Sequence, residues 1–369
     1  MVSGVRGKFD TRPNNDEVLG LFPYFGPETV GGIQASARIA WSAVAGRANG
    51  GASFIGYANG GVSPAIETHR RMLIVGSRGE AIRKVVTRTW PQHLVFVWHL
   101  SLLKLLPFLR LSQPRVVVML LGIEAWKEHK GLTARQLDRV DLFLSISNHT
   151  WLKFVECNRR YEQKTHRKVL LGIGEPLNTG TPPTSQQPVA LMVSRLLKSE
   201  DYKGHRELID AWPLVLRNNR AAELWIAGDG DLRPELESRV RSLRLQNSIK
   251  FFGQVPEQKK QELLEQSRCL VMPSRCEGFG LVYLEAMRLG RPCLVSTLDA
   301  GREVVNPPDA GLAVDPADPR AVADAVARLI STGHEWECWS EQARRRYESS
   351  FTATHFQQRL VAALFHSEV

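Results

Sequence analysis

A chain of 369 residues, 43% hydrophobic and 23% charged, has the length and composition of two soluble domains, each with its own core. Its five cysteines (157, 269, 276, 293 and 338) show no CxxC spacing, which argues against a zinc site or a disulfide framework and suits a reducing cytoplasm. The net charge of +10 is unevenly placed: residues 1–185 hold 24 Lys/Arg against 13 Asp/Glu, residues 186–369 hold 24 against 25.

Residues 1–15 lack the apolar stretch of a secretory leader and read as a tail. From residue 16, "DEVLGLFPYF", "ASFIGYA", "RRMLIVGS", "HLVFVWHL", "RVVVMLLGI", "DLFLSIS" and "RKVLLGIG" read as strands, with helices at "GGIQASARIAWSAV" and "NHTWLKFVECNRR". "HLSLLKLLPFLRL", residues 99–111, fits two roles equally: an apolar face laid on a membrane interface, or a core helix broken before Pro107. "LNTGTPPTSQQP", residues 177–188, has the composition of a linker. Beyond it, strands "PVALMVSRL", "AELWIAGDG", "IKFFGQV", "RCLVMPS", "RPCLVST" and "AGLAVDP" alternate with helical patterns. Strands alternating with helices mean parallel sheets covered on both faces. The expected organisation is α/β, with one domain over 16–180, a second over 181–350, and a closing segment, 351–369, that returns to the first. No run approaches the roughly 18 to 20 apolar residues that span a bilayer.

In doubly wound sheets ligands gather at the carboxyl ends of strands. Arg195, then Gly228-Asp229-Gly230, then Ser274 and Glu277 fall at three such ends. "EGFGLVYLEAM" is a glycine turn opening a helix, where free N–H groups and the helix dipole favour an anion such as phosphate. Phe279, Gly280 and Leu281 would offer the N–H groups. Glu285, one turn in, suits the vicinal hydroxyls of a ribose. The competing reading caps the helix with Glu277 and pairs Glu285 with Arg288 or Arg291. Arg195 and Lys203 can point into the crevice as a planar fork and a point charge for a diphosphate. Cys276 reads as a loop or core thiol rather than a nucleophile.

These pieces resemble the retaining glycosyltransferases of family four (glycosyl transferases group 1), which have the GT-B fold of two Rossmann-like domains facing across a cleft. The resemblance rests on "VSRLLKSEDYKGH", "LWIAGDGDLRPELE", "IKFFGQV", "LVMPSRCEGFGLVYLEAMRLGRPCLVST", "GREVV" and "AGLAVDP", in the family's order over residues 186–330. It implies that Glu285 holds the donor ribose, Glu277 the donor sugar, and Arg195 and Lys203 the diphosphate. The opening "FGPETVGGIQASARIAW" looks like the family's glycine loop, which implies that Gly31 and Gly32 approach the diphosphate from the first domain. One departure stands out: Leu121-Gly122 occupies the place of the family's His-Gly, so no role passes to a histidine there. His99 and Glu124, at neighbouring strand ends, could face the acceptor, although a structural role for His99 is equally open.

The implied reaction moves a hexose from a nucleoside-diphosphate sugar to an acceptor hydroxyl with retention, without cofactor or metal. The expected acceptor is an oligosaccharide or lipid-linked glycan of a bacterial-type surface polysaccharide. The basic first half suggests an anionic partner, such as a membrane surface or a lipid phosphate. Nucleic acid is disfavoured, because no zinc-finger or RNA-binding signature accompanies the charge. Rival readings are a GT-B epimerase or hydrolase of nucleotide-sugars and an inactive binding protein.

Overall fold

Unbroken apolar runs such as "LVFV" and "VALMV" belong in strands covered on both faces, and they form the centres of two parallel sheets. The computed structural model describes residues 17–23, 31–48, 50–57, 72–75, 78–86, 90, 93–110, 113–177, 182, 184 and 186–365. The tail at 1–15, residues 24–30 of the glycine loop and residues 178–181, 183 and 185 of the linker lie outside these.

The first sheet comprises β1 (Val18–Pro23), β2 (Ala52–Tyr57), β3 (Met72–Val75), β4 (Leu94–Val97), β5 (Arg115–Leu120), β6 (Leu142–Ser145) and β7 (His166–Lys168), in the order β3-β2-β1-β4-β5-β6-β7. The second comprises β8 (Val189–Val193), β9 (Glu223–Ala227), β10 (Ile249–Gly253), β11 (Cys269–Val271), β12 (Cys293–Ser296) and β13 (Gly311–Val314), in the order β10-β9-β8-β11-β12-β13. Every ladder is parallel. In both sheets the chain runs outward and then jumps back, so the order reverses beside β1 and beside β8. That reversal opens a crevice above the strand ends.

Helices α1 (Gly32–Arg47), α2 (Arg78–Val86), α3 (Gly131–Leu137) and α4 (Asn148–Cys157) accompany the first sheet. Helices α5 (His205–Asn218), α6 (Arg233–Ser242), α7 (Glu257–Gln266), α8 (Leu281–Arg288), α9 (Gly301–Val305), α10 (Pro319–Leu329) and α11 (His334–Ser350) accompany the second. The last helix, α12 (Ala353–Phe365), packs on the first domain. Phe356 meets Trp98 at 6.2 Å between ring centroids, and Arg115 donates to the Leu364 carbonyl at 2.7 Å. Where the chain crosses between domains, Ile173 N–H donates to Phe351 O at 3.0 Å and Ala353 N–H to Gly174 O at 2.7 Å.

One reading of the sequence is revised and another decided. "RKVLLGIG" contributes a strand only over His166–Lys168, because β7 is an edge and the chain then leaves for the second domain. Of the two roles open to residues 99–111, the described part takes the core one: Leu100–Phe108 is a 3₁₀ helix with Leu100, Leu102, Leu103 and Leu106 buried, and Ser101, Lys104 and Pro107 outward. Among the described residues no helix is long and apolar enough to cross a membrane.

Candidate functional site

The site is built on the strand ends of the second domain. Just past β8, Arg195 is 72% exposed and ion-paired with Glu200, whose side chain is 11% exposed. Lys203 ends a short 3₁₀ turn and points inward, with Nζ donating to Glu277 Oε2 at 3.1 Å. The two side chains are only 16% and 15% exposed. Burial works to lower the Lys203 pKa, but the Glu277 carboxylate together with Tyr202 and Glu200 outweighs it and holds the ammonium above the ordinary lysine value.

Glu277 is fixed through its backbone. Its N–H donates to Asp299 Oδ2 at 3.0 Å, Gly301 N–H donates to Asp299 Oδ1 at 2.9 Å, and Ala300 N–H donates to the Glu277 carbonyl at 3.0 Å. Asp299 is 1% exposed, and burial pushes its pKa up to about 7 against the two backbone donors. Ser274, fully buried, accepts from Cys276 N–H at 3.2 Å and hydrogen-bonds Asp299. Burial and the Asp299 charge raise the Cys276 pKa, the opposite of what a thiolate nucleophile needs.

The turn then enters α8. Its N-cap, Gly280, has φ of +84° and no side-chain cap, and a Cβ there would lie 2.3 Å from the Tyr283 ring. Tyr283 N–H donates to Gly280 O at 3.0 Å, which leaves the Leu281 and Val282 N–H groups ahead of it open to a ligand. Phe279 is buried, edge-on to Phe351 at 6.1 Å. Glu277 therefore does not cap this helix. Nor does Glu285 pair with Arg288 or Arg291: Arg288 donates to Glu175 O at 2.8 Å, and Arg291 donates to Pro182 O and Glu265 O, both at 2.6 Å. Its partner is Lys260 of α7, whose Nζ donates to Oε1 at 2.9 Å and also reaches Glu257 at 2.8 Å. The same ammonium is 2.8 Å from Glu285 Oε2 but is not aligned to donate to it, so Oε2 is buried without a hydrogen bond. Burial raises the Glu285 pKa and Lys260 opposes it.

Gly228 and Asp229 frame the floor. Gly228 has φ of +145°, and a Cβ would sit 1.8 Å from Ser194 O, so only glycine lets β9 close on the loop that carries Arg195. Asp229 accepts from Gly230 N–H at 2.8 Å and pairs with Arg233 at 3.1 Å, which gives it a local structural partner set.

The first domain closes over this turn. A Cβ at Gly32 would lie 3.2 Å from Leu281 Cδ1, so the amino-terminal ends of α1 and α8 meet across the cleft. Gly31, with φ of +142°, is the N-cap of α1. A Cβ at Gly278 would lie 3.0 Å from both Gly122 Cα and Leu121 O. Glu124 Oε1 accepts from Leu121 N–H at 2.7 Å, bracing that loop. His99 caps the 3₁₀ turn, with Nδ1 accepting from Ser101 N–H at 3.2 Å. Burial lowers its pKa while the nearby Glu124 charge raises it. The structure thus brings Lys203, Glu277, Ser274, Phe279, Gly280, Leu281, Gly31 and Gly32 around one turn. Arg195 lies at the rim, Glu285 one helical turn away, and His99 with Glu124 on the facing domain. Sequence reasoning missed Lys260 and Asp299. Asp299 follows the end of β12, where the strand-end rule could have found it; nothing in the spacing of "EQKKQELL" singles out Lys260.

Residues 187–332 match the family described as glycosyl transferases group 1. Among curated relatives, D-rhamnosyltransferase WbpZ of Pseudomonas aeruginosa is 29% identical over 62% of this chain and 60% of its own length. Alpha-D-kanosaminyltransferase of Streptomyces kanamyceticus is 29% identical over 42% of this chain and 40% of its own length. The chain thus spans about half the length of the curated relatives it matches. Anabaena Alr3699/HepE, solved in complex with UDP, superposes with a TM-score of 0.71 at 18% identity, covering 94% of this chain and 99% of that one. Sucrose-phosphate synthase from Thermosynechococcus elongatus gives 0.71 at 18%, covering 93% and 97%. That likeness carries the fold, which is GT-B.

Proposed function

We propose that the protein is a retaining hexosyltransferase that moves a hexose from a nucleoside-diphosphate sugar to an acceptor hydroxyl. The observation that carries the reading is the meeting of the α1 and α8 amino-terminal ends beside the Lys203–Glu277 pair. A diphosphate set there would face two positive helix ends and an ammonium. The kanosaminyl-, rhamnosyl- and mannosyltransferases among its relatives support the class.

On this reading the diphosphate takes Lys203 from Glu277 and draws in Arg195 from Glu200. Glu277, released, accepts hydrogen bonds from the donor sugar's hydroxyls. Glu285 Oε2 accepts from the ribose. As the anomeric C–O bond breaks, its electrons go to the β-phosphate oxygen, and Arg195 and Lys203 stabilise the charge that develops there. The acceptor hydroxyl attacks the anomeric carbon from the same face and passes its proton to that oxygen. These cations take the place a divalent metal would hold.

The acceptor we favour is a lipid-linked oligosaccharide of a surface polysaccharide, met at the inner face of the cell membrane by the basic first domain. The test incubates the protein with radiolabelled UDP-glucose, UDP-galactose and GDP-mannose and a bacterial membrane extract. Label in the lipid fraction is the expected outcome. Free sugar would make it a hydrolase, an altered nucleotide-sugar an epimerase, and bound but unconverted donor a binding protein.

A further inference from the structure

Glu303 belongs to α9 of the second domain, yet its carboxylate is bound by the first. Asn148 N–H donates to Oε2 at 2.9 Å and His149 N–H to Oε1 at 2.7 Å. These are first-turn amides of α4, where the helix dipole favours a negative charge. Lys168 Nζ stands 3.9 Å from the same carboxylate. One residue earlier, Ser147, the N-cap of α4, donates from its hydroxyl to the Gly278 carbonyl at 2.9 Å. The opening of one helix therefore grips the second domain at two points, and both bear on the Glu277 turn. Gly278 follows Glu277 directly. Glu303 sits on the short helix whose approach, Asp299 and Ala300, holds the Glu277 N–H and carbonyl.

These bonds form a ring: the Glu277 turn, the Asp299–Ala300 loop, α9 and Glu303, the α4 amides, Ser147, and back to Gly278. Separating the domains breaks the ring at α4 and leaves the turn held from one side only. We propose that Glu303 is a positioning residue, an interdomain clasp that sets Glu277 and Gly278 against the acceptor domain when the domains are shut. Its catalytic consequence rests on the transferase reading; the clasp itself does not. A carboxylate suits this duty because it accepts two N–H groups at once, and charge-assisted bonds are roughly twice as strong as neutral ones.

The test compares full-length wild type with Glu303→Ala and Glu303→Gln, each confirmed folded by thermal denaturation. Deuterium exchange of peptides covering residues 146–152 reads the clasp without reference to activity. Exchange there should rise in both variants. The rise should be smaller in Gln, which keeps one acceptor oxygen but turns an NH₂ group toward the other amide. In the sugar-transfer assay kcat should fall on the order of 10²-fold in the Ala variant, the scale of a roughly 1 Å misplacement remote from the chemistry. Affinity for UDP or GDP, whichever the wild type binds, should not change. Unaltered exchange in a folded Ala variant overturns the clasp. Faster exchange with undiminished kcat, or a loss carried wholly by nucleotide affinity, overturns the positioning role. A wild type that transfers no sugar overturns the transferase reading instead, and the exchange data then decide the clasp alone.

Discussion

Glu285 shows how one residue is held ready. It faces a core helix interface, where an unpaired carboxylate would be expensive, and Lys260 compensates it. Glu285→Ala should therefore weaken UDP or GDP binding by roughly 1.5–3 kcal/mol, the range for hydrogen bonds to a charged group. Calorimetric titration reads this directly, and unchanged affinity would return Glu285 to a structural ion pair. Lys260→Met strands the carboxylate instead. Because both side chains keep some solvent contact, the loss of folding stability should be at most about 3 kcal/mol, the low end for breaking a buried pair. Asp299 sets a pH dependence. Its folded pKa of about 7 lies above its ordinary 3.8, so between these values the folded chain keeps a proton that the unfolded chain releases. This contribution to stability is complete below about pH 4 and is lost as pH rises through about 7. The Tm of wild type should decline across that window more steeply than that of Asp299→Asn, which cannot titrate there. Parallel profiles would mean that Asp299 ionises normally.

Helix α8 gathers the site at the level of the element. Its amino-terminal turn meets α1, its middle carries Glu285, and its last turn donates from Arg288 to the Glu175 carbonyl where the chain crosses between domains. Gly280→Ala should disturb all of this at once. The residue would be forced into a left-handed conformation with its Cβ 2.3 Å from the Tyr283 ring. A drop of about 1–3 kcal/mol in stability is expected, with loss of nucleotide binding beyond what stability explains; a wild-type denaturation curve would contradict the geometry. This element was legible because glycines, a helical pattern and two glutamates lie within one continuous stretch. Lys260 was not, because a lysine on a polar helix face looks the same whether it meets water or a carboxylate 25 residues away. Residues 99–111 were ambiguous for a related reason. Seven leucines with scattered cations fit a membrane face or a core equally, and only the packing of Leu103 and Leu106 decides. The strand-end convergence of Arg195, Gly228 and Glu277 was readable, since parallel topology fixes where such ends point. The cross-domain bonds of Glu303 and Ser147 were hidden, because nothing local records which surfaces face each other.

Taken as a whole molecule, the chain places its basic excess on the side assigned to the acceptor and a two-domain cleft on the side of the chemistry. If the first domain works against a membrane, binding to anionic vesicles should weaken as salt shortens the Debye length to about 8 Å and below. Salt-resistant binding is not expected, because the leucines of 100–106 are committed to the core. The cleft also bears on stereochemistry. A double displacement would need a nucleophile from the first domain, and Glu124 is the nearest carboxylate at the Leu121 loop. One of its oxygens is already engaged by Leu121 N–H at 2.7 Å, bracing the loop that packs on Gly278. Moving Glu124 to attack would give up that brace where the domains touch. Front-face attack asks nothing of this kind: the departing phosphate oxygen takes the acceptor proton, Lys203 and Arg195 hold that oxygen, and the leucine at position 121 needs no replacement base. Product NMR should therefore show the donor's anomeric configuration preserved, and Glu124→Gln, which keeps the accepting oxygen, should retain measurable transfer. His99→Ala should lose mainly acceptor affinity. An inverted product would overturn the retaining assignment, whereas a glycosyl adduct trapped on Glu124 would keep retention and replace the front-face route with a covalent one.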